Sequence, residues 1–187
     1  MNIRTKDNLV VIVAGIGMLL STLDTGIINV ALPFFKSYFE TTADIAAIAV
    51  TGYTISLAVF ILPFGLLSDK FGKLSFSYIG LIIFGLSSLL CGLSANVQML
   101  IMFRIFQGIG AAALQATSAS LITTLVSAEK SSSAIGVLGI MIGVGPVLGP
   151  SLGGLLLSLN SWRGIFWLNI PFVLLGLICN HKIGRAH

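Results

Sequence analysis

The chain has 187 residues, of which 56% are hydrophobic and only 9% charged, with a formal net charge of +4 and a mean hydropathy of +1.06. A soluble domain carries roughly 25% charged residues, and a chain this short cannot enclose so much apolar surface in a core of its own. A soluble enzyme or a nucleic-acid-binding domain is all but excluded, since the basic residues lie scattered between apolar runs and form no patch, and the composition is that of an integral membrane protein.

A membrane-spanning helix needs about 20 apolar residues. Six stretches qualify, at about residues 9–32, 45–67, 74–93, 97–126, 134–159 and 165–178. Arg4 and Lys6 ahead of the first resemble the basic start of a signal peptide. The apolar run is too long for one, however, and continues through Asp24 to Pro33 without a small-residue cleavage site, so a retained first span is expected. Asp24 lies nine residues before Pro33, hence about 13 Å inside that boundary. Between the second and third stretches runs Gly65-Leu66-Leu67-Ser68-Asp69-Lys70-Phe71-Gly72-Lys73, read as a tight turn with Asp69 just before the third helix. A bland connecting loop would need its lysines but not Asp69 or the two glycines.

The fourth stretch carries Arg104, roughly 10 Å in from its start near Val97 and so at a depth similar to that of Asp24. Charges within spans are costly and mark functional sites by default. Asp24 and Arg104 are therefore expected to face a common aqueous cavity as a coupled pair, with Arg104 holding Asp24 ionised until a proton or a cationic substrate competes. A static structural pair, or an arginine bonded to backbone carbonyls, is the alternative. Gln107 shares the helical face of Arg104 at i+3, placed to orient it or to bind substrate. Gly108, Gly110, Ala111, Ala112 and Ala113 let a neighbouring helix approach closely. Gly108-Ile109-Gly110 follows no strand and is not read as a dinucleotide loop.

In the fifth stretch Gly145, Gly149 and Gly153 recur every four residues, Gly139 and Gly143 form a second pair, and Pro146 and Pro150 each remove a backbone donor. Such a helix packs backbone to backbone and bends, and so is suited to sealing or opening one side of a cavity. Cys91 and Cys179 lie in apolar stretches and read as small buried hydrophobes; no cysteine–histidine cluster points to a metal. The closing residues 182–187, Lys-Ile-Gly-Arg-Ala-His, look like a reading frame of a sequencing adapter and are expected to be non-native; His187 is not taken as a ligand. Short connections make an up-and-down bundle. With the N-terminus inside, the inner segments hold Arg4, Lys6, Lys70, Lys73 and Lys130 against Lys36 and Arg163 outside, which favours that orientation.

Together these segments resemble the N-terminal half of a major facilitator superfamily transporter, over about residues 9–178. Gly65 to Lys73 resembles the family's loop pattern G-x-L-x-D-[RK]-x-G-[RK], and Arg104-Ile105-Phe106-Gln107-Gly108-Ile109-Gly110 its fourth-helix pattern R-x-x-Q-G-x-G. Gly145-Pro146-Val147-Leu148-Gly149-Pro150-Ser151-Leu152-Gly153-Gly154 resembles the antiporter motif of helix five. Leu23-Asp24-Thr25-Gly26-Ile27-Ile28-Asn29-Val30-Ala31-Leu32-Pro33 resembles the first-helix pattern L-D-x-T-[IV]-[VI]-N-V-A-L-P, in which Gly26 replaces nothing essential. With Trp162-Arg163-Gly164-Ile165-Phe166-Trp167-Leu168-Asn169-Ile170-Pro171, the set is similar to the EmrB/QacA-type drug/proton antiporters, which usually have fourteen helices.

The resemblance implies an all-α integral membrane fold: the six-helix N-terminal bundle of such a transporter. It implies that Asp24 is the proton-coupling or cation-sensing acid and that Arg104 and Gln107 take part in proton transfer and cavity chemistry. Gly145, Pro146, Gly149, Pro150, Gly153 and Gly154 would gate exchange, while Gly65, Asp69, Lys70, Gly72 and Lys73 would stabilise the outward-open state by docking on a second half. The implied activity is proton-coupled efflux of lipophilic or cationic drugs across a plasma membrane, in a bacterial cell with the N-terminus cytoplasmic. Its energy source is the proton gradient, with no cofactor. Its partners are the lipid bilayer, a small-molecule substrate and the C-terminal half that the chain lacks, with no nucleic acid. A transporter of another small solute, and a non-transporting half-protein, are the competing readings. An enzyme is not expected, since no nucleophile–base pair or metal cluster appears.

Overall fold

The computed structural model describes residues 3–159 and 161–185. Among them are seven helices and no strand: α1 (Ile3–Tyr38), α2 (Ala43–Phe71), α3 (Lys73–Gly92), α4 (Val97–Leu125), α5 (Ala128–Ser158), α6 (Trp162–Trp167) and α7 (Asn169–Gly184). α6 and α7 are separated by Leu168 alone and together make one apolar span, so six helical segments are long and apolar enough to cross a membrane. The sixth is therefore longer than residues 165–178, and α5 begins six residues before the apolar run at 134. α5 starts early because Ala128 to Ser133, although polar, carries no breaker, and helical backbone continues past the apolar part into the connection. The closing segment expected to be non-native continues α7 as far as Gly184, while Ala186 and His187 lie outside the described residues.

Local chemistry explains most of the boundaries. Thr42 caps α2 by accepting from the Ile45 N–H at 3.3 Å, and Asn96 caps α4 by accepting from the Met99 N–H at 2.8 Å. Gly72 ends α2 with a φ of 99°, a backbone that L side chains rarely adopt, while its own N–H donates to the Ser68 carbonyl at 3.0 Å. The expected Gly65–Lys73 turn is thus almost wholly helical. Gly65 lies inside α2, and Asp69 is in the last turn of α2 rather than at the start of α3, because the chain breaks only at Gly72. Asp69 is instead held by Lys73, whose Nζ lies 3.2 Å from its carboxylate and donates to Thr124 Oγ1 of α4 at 2.8 Å. Gly72→Ala is expected to cost about 1–2 kcal/mol, seen as a lower midpoint of thermal unfolding in detergent; an unchanged midpoint would show that the turn relaxes.

α1 and α4 cross through the middle. α1 lies against α5, α4 and α7, and α4 against α2, α3 and α1. Their small residues allow this. A Cβ on Gly110 would fall 2.6 Å from the Phe84 amide nitrogen of α3, and one on Gly108 would collide with the Tyr53 carbonyl of α2. Buried apolar residues form three tiers. Leu23, Ile27, Phe35, Ala49, Leu100 and Phe166 lie toward one end, Leu20, Tyr53, Leu81, Phe84 and Leu114 in the middle, and Val10, Val13, Leu121, Leu138 and Ile183 toward the other.

The two ends differ in chemistry. One carries Lys6, Lys70, Lys73 and Lys130 and is called here the basic end. The other carries an aromatic cluster: Trp162 meets Phe35 edge-on at 5.7 Å between ring centres, and Tyr38 and Phe39 lie within 5.1 and 5.6 Å of it. α2 and α5 are the least covered spans. α2 exposes Ile48, Ile55, Val59, Leu62 and Leu66 along one face.

Candidate functional site

Between the middle tier and the tier toward the aromatic end, the apolar core is interrupted by a cluster of polar side chains from five helices. Arg104 of α4 and Asp24 of α1 form an ion pair, Arg104 Nη1 donating to Asp24 Oδ2 at 2.5 Å. The two residues are 80 positions apart in sequence and meet because α1 and α4 cross at this level. Their side chains are 0% and 1% exposed, so the pair lies inside the bundle. The expected contact is present, but the expected aqueous cavity is not what surrounds it. The cause is packing: the glycines of α4 draw α2 and α3 over the site.

Each remaining partner is specific. Arg104 Nε donates to the Ala49 carbonyl of α2 at 3.2 Å, and its guanidinium carbon lies 4.2 Å from the centre of the Tyr53 ring. Arg104 Nη1 also donates to Gln107 Oε1 at 2.8 Å, as the i+3 spacing expects. Gln107 Nε2 donates to Asp24 Oδ1 at 3.1 Å and to Ser88 Oγ of α3 at 2.8 Å. Cys91 Sγ lies 3.7 Å from Gln107 Oε1. Asn169, the first residue of α7, donates from Nδ2 to Asp24 Oδ1 at 3.3 Å and to Ser88 Oγ at 3.4 Å. Asp24, Gln107, Ser88 and Asn169 are all buried. Every partner of Asp24 is therefore a donor, a shell that fits a carboxylate and not a carboxylic acid. In an apolar surrounding such a network is stable only when its members are satisfied. Two atoms are not: Arg104 Nη2 and Asn169 Oδ1 are buried without a partner.

The helix-five motif packs against α1 beside this cluster. Gly145, Gly149 and Gly153 face α1, and a Cβ on Gly149 would fall 2.7 Å from the Cα and C of Gly26. Gly26 is thus a packing position two residues from Asp24; a Cβ there would lie 3.0 Å from the Gly145 carbonyl oxygen. Thr22 Oγ1 donates to the Met141 carbonyl at 3.2 Å and ties the same two helices. Pro146 and Pro150 are exposed beside this stripe, the Pro146 Cα still lying 3.2 Å from where a Cβ on Gly26 would be, and Gly154 has nothing facing it. Gly65, Asp69, Lys70, Gly72 and Lys73 lie at the basic end, remote from Asp24, and are not brought to the cluster.

Ser88, Asn169 and Tyr53 were not singled out from the sequence. Asn169 stood in the Trp162–Pro171 segment, and a lone amide in an apolar run is a readable signal. Ser88 gave none, since serines in spans commonly bond their own helix.

The pattern of the Major Facilitator Superfamily matches residues 14–181 of the chain. Similar curated proteins include the riboflavin transporter RibZ of Clostridioides difficile, 35% identical over 174 residues, and the methylenomycin A resistance protein of Bacillus subtilis, 35% identical over 175. Each alignment covers 93% of this chain and 38% of the relative. The multidrug resistance protein Stp of Mycobacterium tuberculosis is 37% identical over 164 residues, or 87% of this chain and 30% of its own length. Among solved structures, the proton:xylose symporter XylE superposes with a TM-score of 0.82 at 19% identity, over 97% of this chain and 45% of its own. A bacterial homologue of the lysosomal transporter Spinster, in an inward-facing form, gives 0.70 at 19% identity over 97% and 43%. These two structures bear on the fold alone. The chain belongs to the Major Facilitator Superfamily and is a multi-pass membrane protein with the fold of that family, whose members are transporters and not enzymes.

Proposed function

We propose that this superfamily member is the N-terminal half of a proton-coupled efflux antiporter of the EmrB/QacA type, exporting lipophilic or cationic drugs from a bacterial cell. The observation that carries this reading is the donor-only shell around Asp24: a buried acid, paired with Arg104 and hydrogen-bonded by Gln107, on a helix that packs against the glycine-proline helix. A proton entering down the membrane potential is worth about 2.3 kcal/mol per 100 mV. Protonation of Asp24 would release Arg104 and loosen the α1–α4 crossing, so uptake of a proton is linked to a change in packing. The names of two relatives, which refer to drug resistance, support export.

Other features fit the same reading. The excess of lysines at the basic end supports a cytoplasmic N-terminus in the plasma membrane. The uncovered apolar faces of α2 and α5 support apposition to a second six-helix bundle, with the substrate between the halves. The Asp69–Lys73 pair with Lys70 and the open side of Gly65 would dock that second half in the outward-open state, and the helix-five glycines and prolines would govern exchange direction. The energy source is the proton gradient, with no cofactor, and no nucleic acid takes part. A carrier of another solute is the second reading, favoured by the relative named as a riboflavin transporter.

The test uses the full-length protein that carries this chain, reconstituted in liposomes. Asp24→Asn preserves shape and removes the titrating acid. It is expected to abolish efflux of a lipophilic cation driven by an imposed pH gradient, while membrane insertion is normal. Unchanged efflux would remove Asp24 from the mechanism.

A further inference from the structure

Asn169 has a feature that ion pairing does not require. Its Nδ2 faces Asp24 Oδ1 and Ser88 Oγ at 3.3 and 3.4 Å, both long, while its Oδ1 is buried and accepts nothing. Ser88 Oγ in turn receives two donors, from Gln107 and Asn169, and its own proton finds no acceptor in the cluster. Asn169 thus holds an unused acceptor and Ser88 an unused donor, on two side chains that meet through Asn169 Nδ2 beside the acid.

We propose that Asn169 is an amide switch that reads the protonation state of Asp24. With Asp24 ionised, Nδ2 donates to its carboxylate. When Asp24 Oδ1 takes a proton from the aqueous side, the new O–H needs an acceptor, and every present partner is a donor. A half-turn about the Asn169 Cβ–Cγ bond exchanges its two ends. Oδ1 then accepts from the Asp24 hydroxyl and from the Ser88 hydroxyl, and Nδ2 takes the place that Oδ1 left. One O–H bond forms at Asp24, no other covalent bond changes, and one positive charge is taken up.

The geometry singles out Asn169 from the other amide. Gln107 Oε1 accepts from Arg104 Nη1 at 2.8 Å, so reversing Gln107 would set a donor against a donor. Reversing Asn169 breaks only the two long contacts. The position in the chain also suits a switch. Asn169 opens α7 immediately after the break at Leu168, where the α6–α7 span is interrupted. The charged and titratable groups facing Asp24 are Arg104 from α4, Tyr53 from α2 and Cys91 from α3. α5 faces this stretch of α1 with Gly145 and Gly149, α6 faces it with apolar residues, and α7 brings the neutral Asn169.

This inference rests on Asp24 being the proton acceptor, and the experiment separates the two. Infrared difference spectra across a pH step are recorded on the full-length protein with 13C-labelled asparagine side chains. A carboxylic C=O band lost in Asp24→Asn identifies the acid; if no such band exists, the proton-coupled reading itself falls. With the band present, an asparagine amide change is expected at the same midpoint, and it is lost in Asn169→Thr. In Asn169→Leu the Asp24 band is expected to move to higher frequency, because its O–H has no acceptor, while Asn169→Thr, whose hydroxyl accepts, leaves it near the wild-type position. An Asp24 band without a coincident asparagine change, or one unmoved in Asn169→Leu, overturns the switch and leaves the antiporter reading intact. Should the leucine variant not fold, the labelled wild-type spectrum decides alone.

Discussion

Truncating Asp24 to alanine is expected to destabilise the bundle by about 3–5 kcal/mol, and removing Arg104 in the same molecule is expected to restore most of it. Buried ion pairs are energetically asymmetric. Breaking one partner leaves an uncompensated charge, while replacing both by apolar groups is often close to neutral. Arg104 without Asp24 would keep the Ala49 carbonyl, Gln107 Oε1 and the face of Tyr53, and nothing with a negative charge. The loss therefore belongs toward the lower end of that range. In Asp24→Ala with Arg104→Leu, the guanidinium is gone, and Gln107, Ser88 and Asn169 can still bond one another. The measurement is unfolding free energy in bicelles for both single variants and the double variant, with the coupling read from the cycle.

The charge-reversed pair is a sterner form. Asp24→Arg with Arg104→Asp should be more stable than either single reversal, yet less stable than wild type, because an arginine on α1 cannot reach Ala49 and Tyr53 as Arg104 does. If the double reversal is no better than the singles, the charges are not energetically paired. The apolar double variant also parts structure from transport. It is expected to fold and to carry no proton-driven flux, whereas a purely structural pair would leave flux in place once stability is restored.

The sequence carried the architecture because the bilayer leaves few options. Apolar runs of sufficient length are helices, since no water is present to satisfy other backbone geometries. Asp24 and Arg104 stand out in the sequence because a charge in a span is costly, and Gln107 because it lies three residues from Arg104 on the same helical face. Side-chain burial was not legible. Depth along each helix placed Asp24 and Arg104 at one level, but whether they line water or lie sealed depends on how closely α2 and α3 approach α4, and that is set by Gly108 and Gly110 acting on other helices. Asp69 was misplaced by three residues of helix. A Gly65–Gly72 segment reads as a turn, and only the backbone reveals that Gly72 alone has a positive φ. The third side of the cluster stayed hidden because Ser88 is polar without charge and of a kind common in spans, while Asn169, though a readable lone amide, shows its partners only once α3 and α7 are packed.

The two glycine faces of α5 lead to the second large effect. Gly149→Leu is expected to disrupt the α1–α5 packing, while Gly143→Leu leaves the bundle intact. Even the first added carbon at Gly149 meets the Cα and C of Gly26 at 2.7 Å, which are backbone atoms that cannot rotate aside, so overpacking of about 1–3 kcal/mol is expected for alanine and more for leucine. At Gly136, Gly139 and Gly143 a Cβ meets nothing within 4 Å, and substitutions there should stay within about 0.5 kcal/mol. Both kinds of site share one helix, with closely similar local propensity costs, so the contrast isolates the interface. Thermal unfolding of Gly149→Ala and Gly143→Ala measures it, and equal losses would mean that the stripe acts through helix propensity rather than close approach. The consequence for the site is direct. Gly26 is two residues from Asp24, so any variant that pushes α1 away from α5 also shifts Asp24 relative to Arg104. Gly149→Ala should therefore impair proton coupling in proportion to its stability loss. Gly143→Leu, on the uncovered side of α5, should impair transport with no loss of bundle stability at all, because the volume it adds projects toward whatever α5 meets in the assembled transporter.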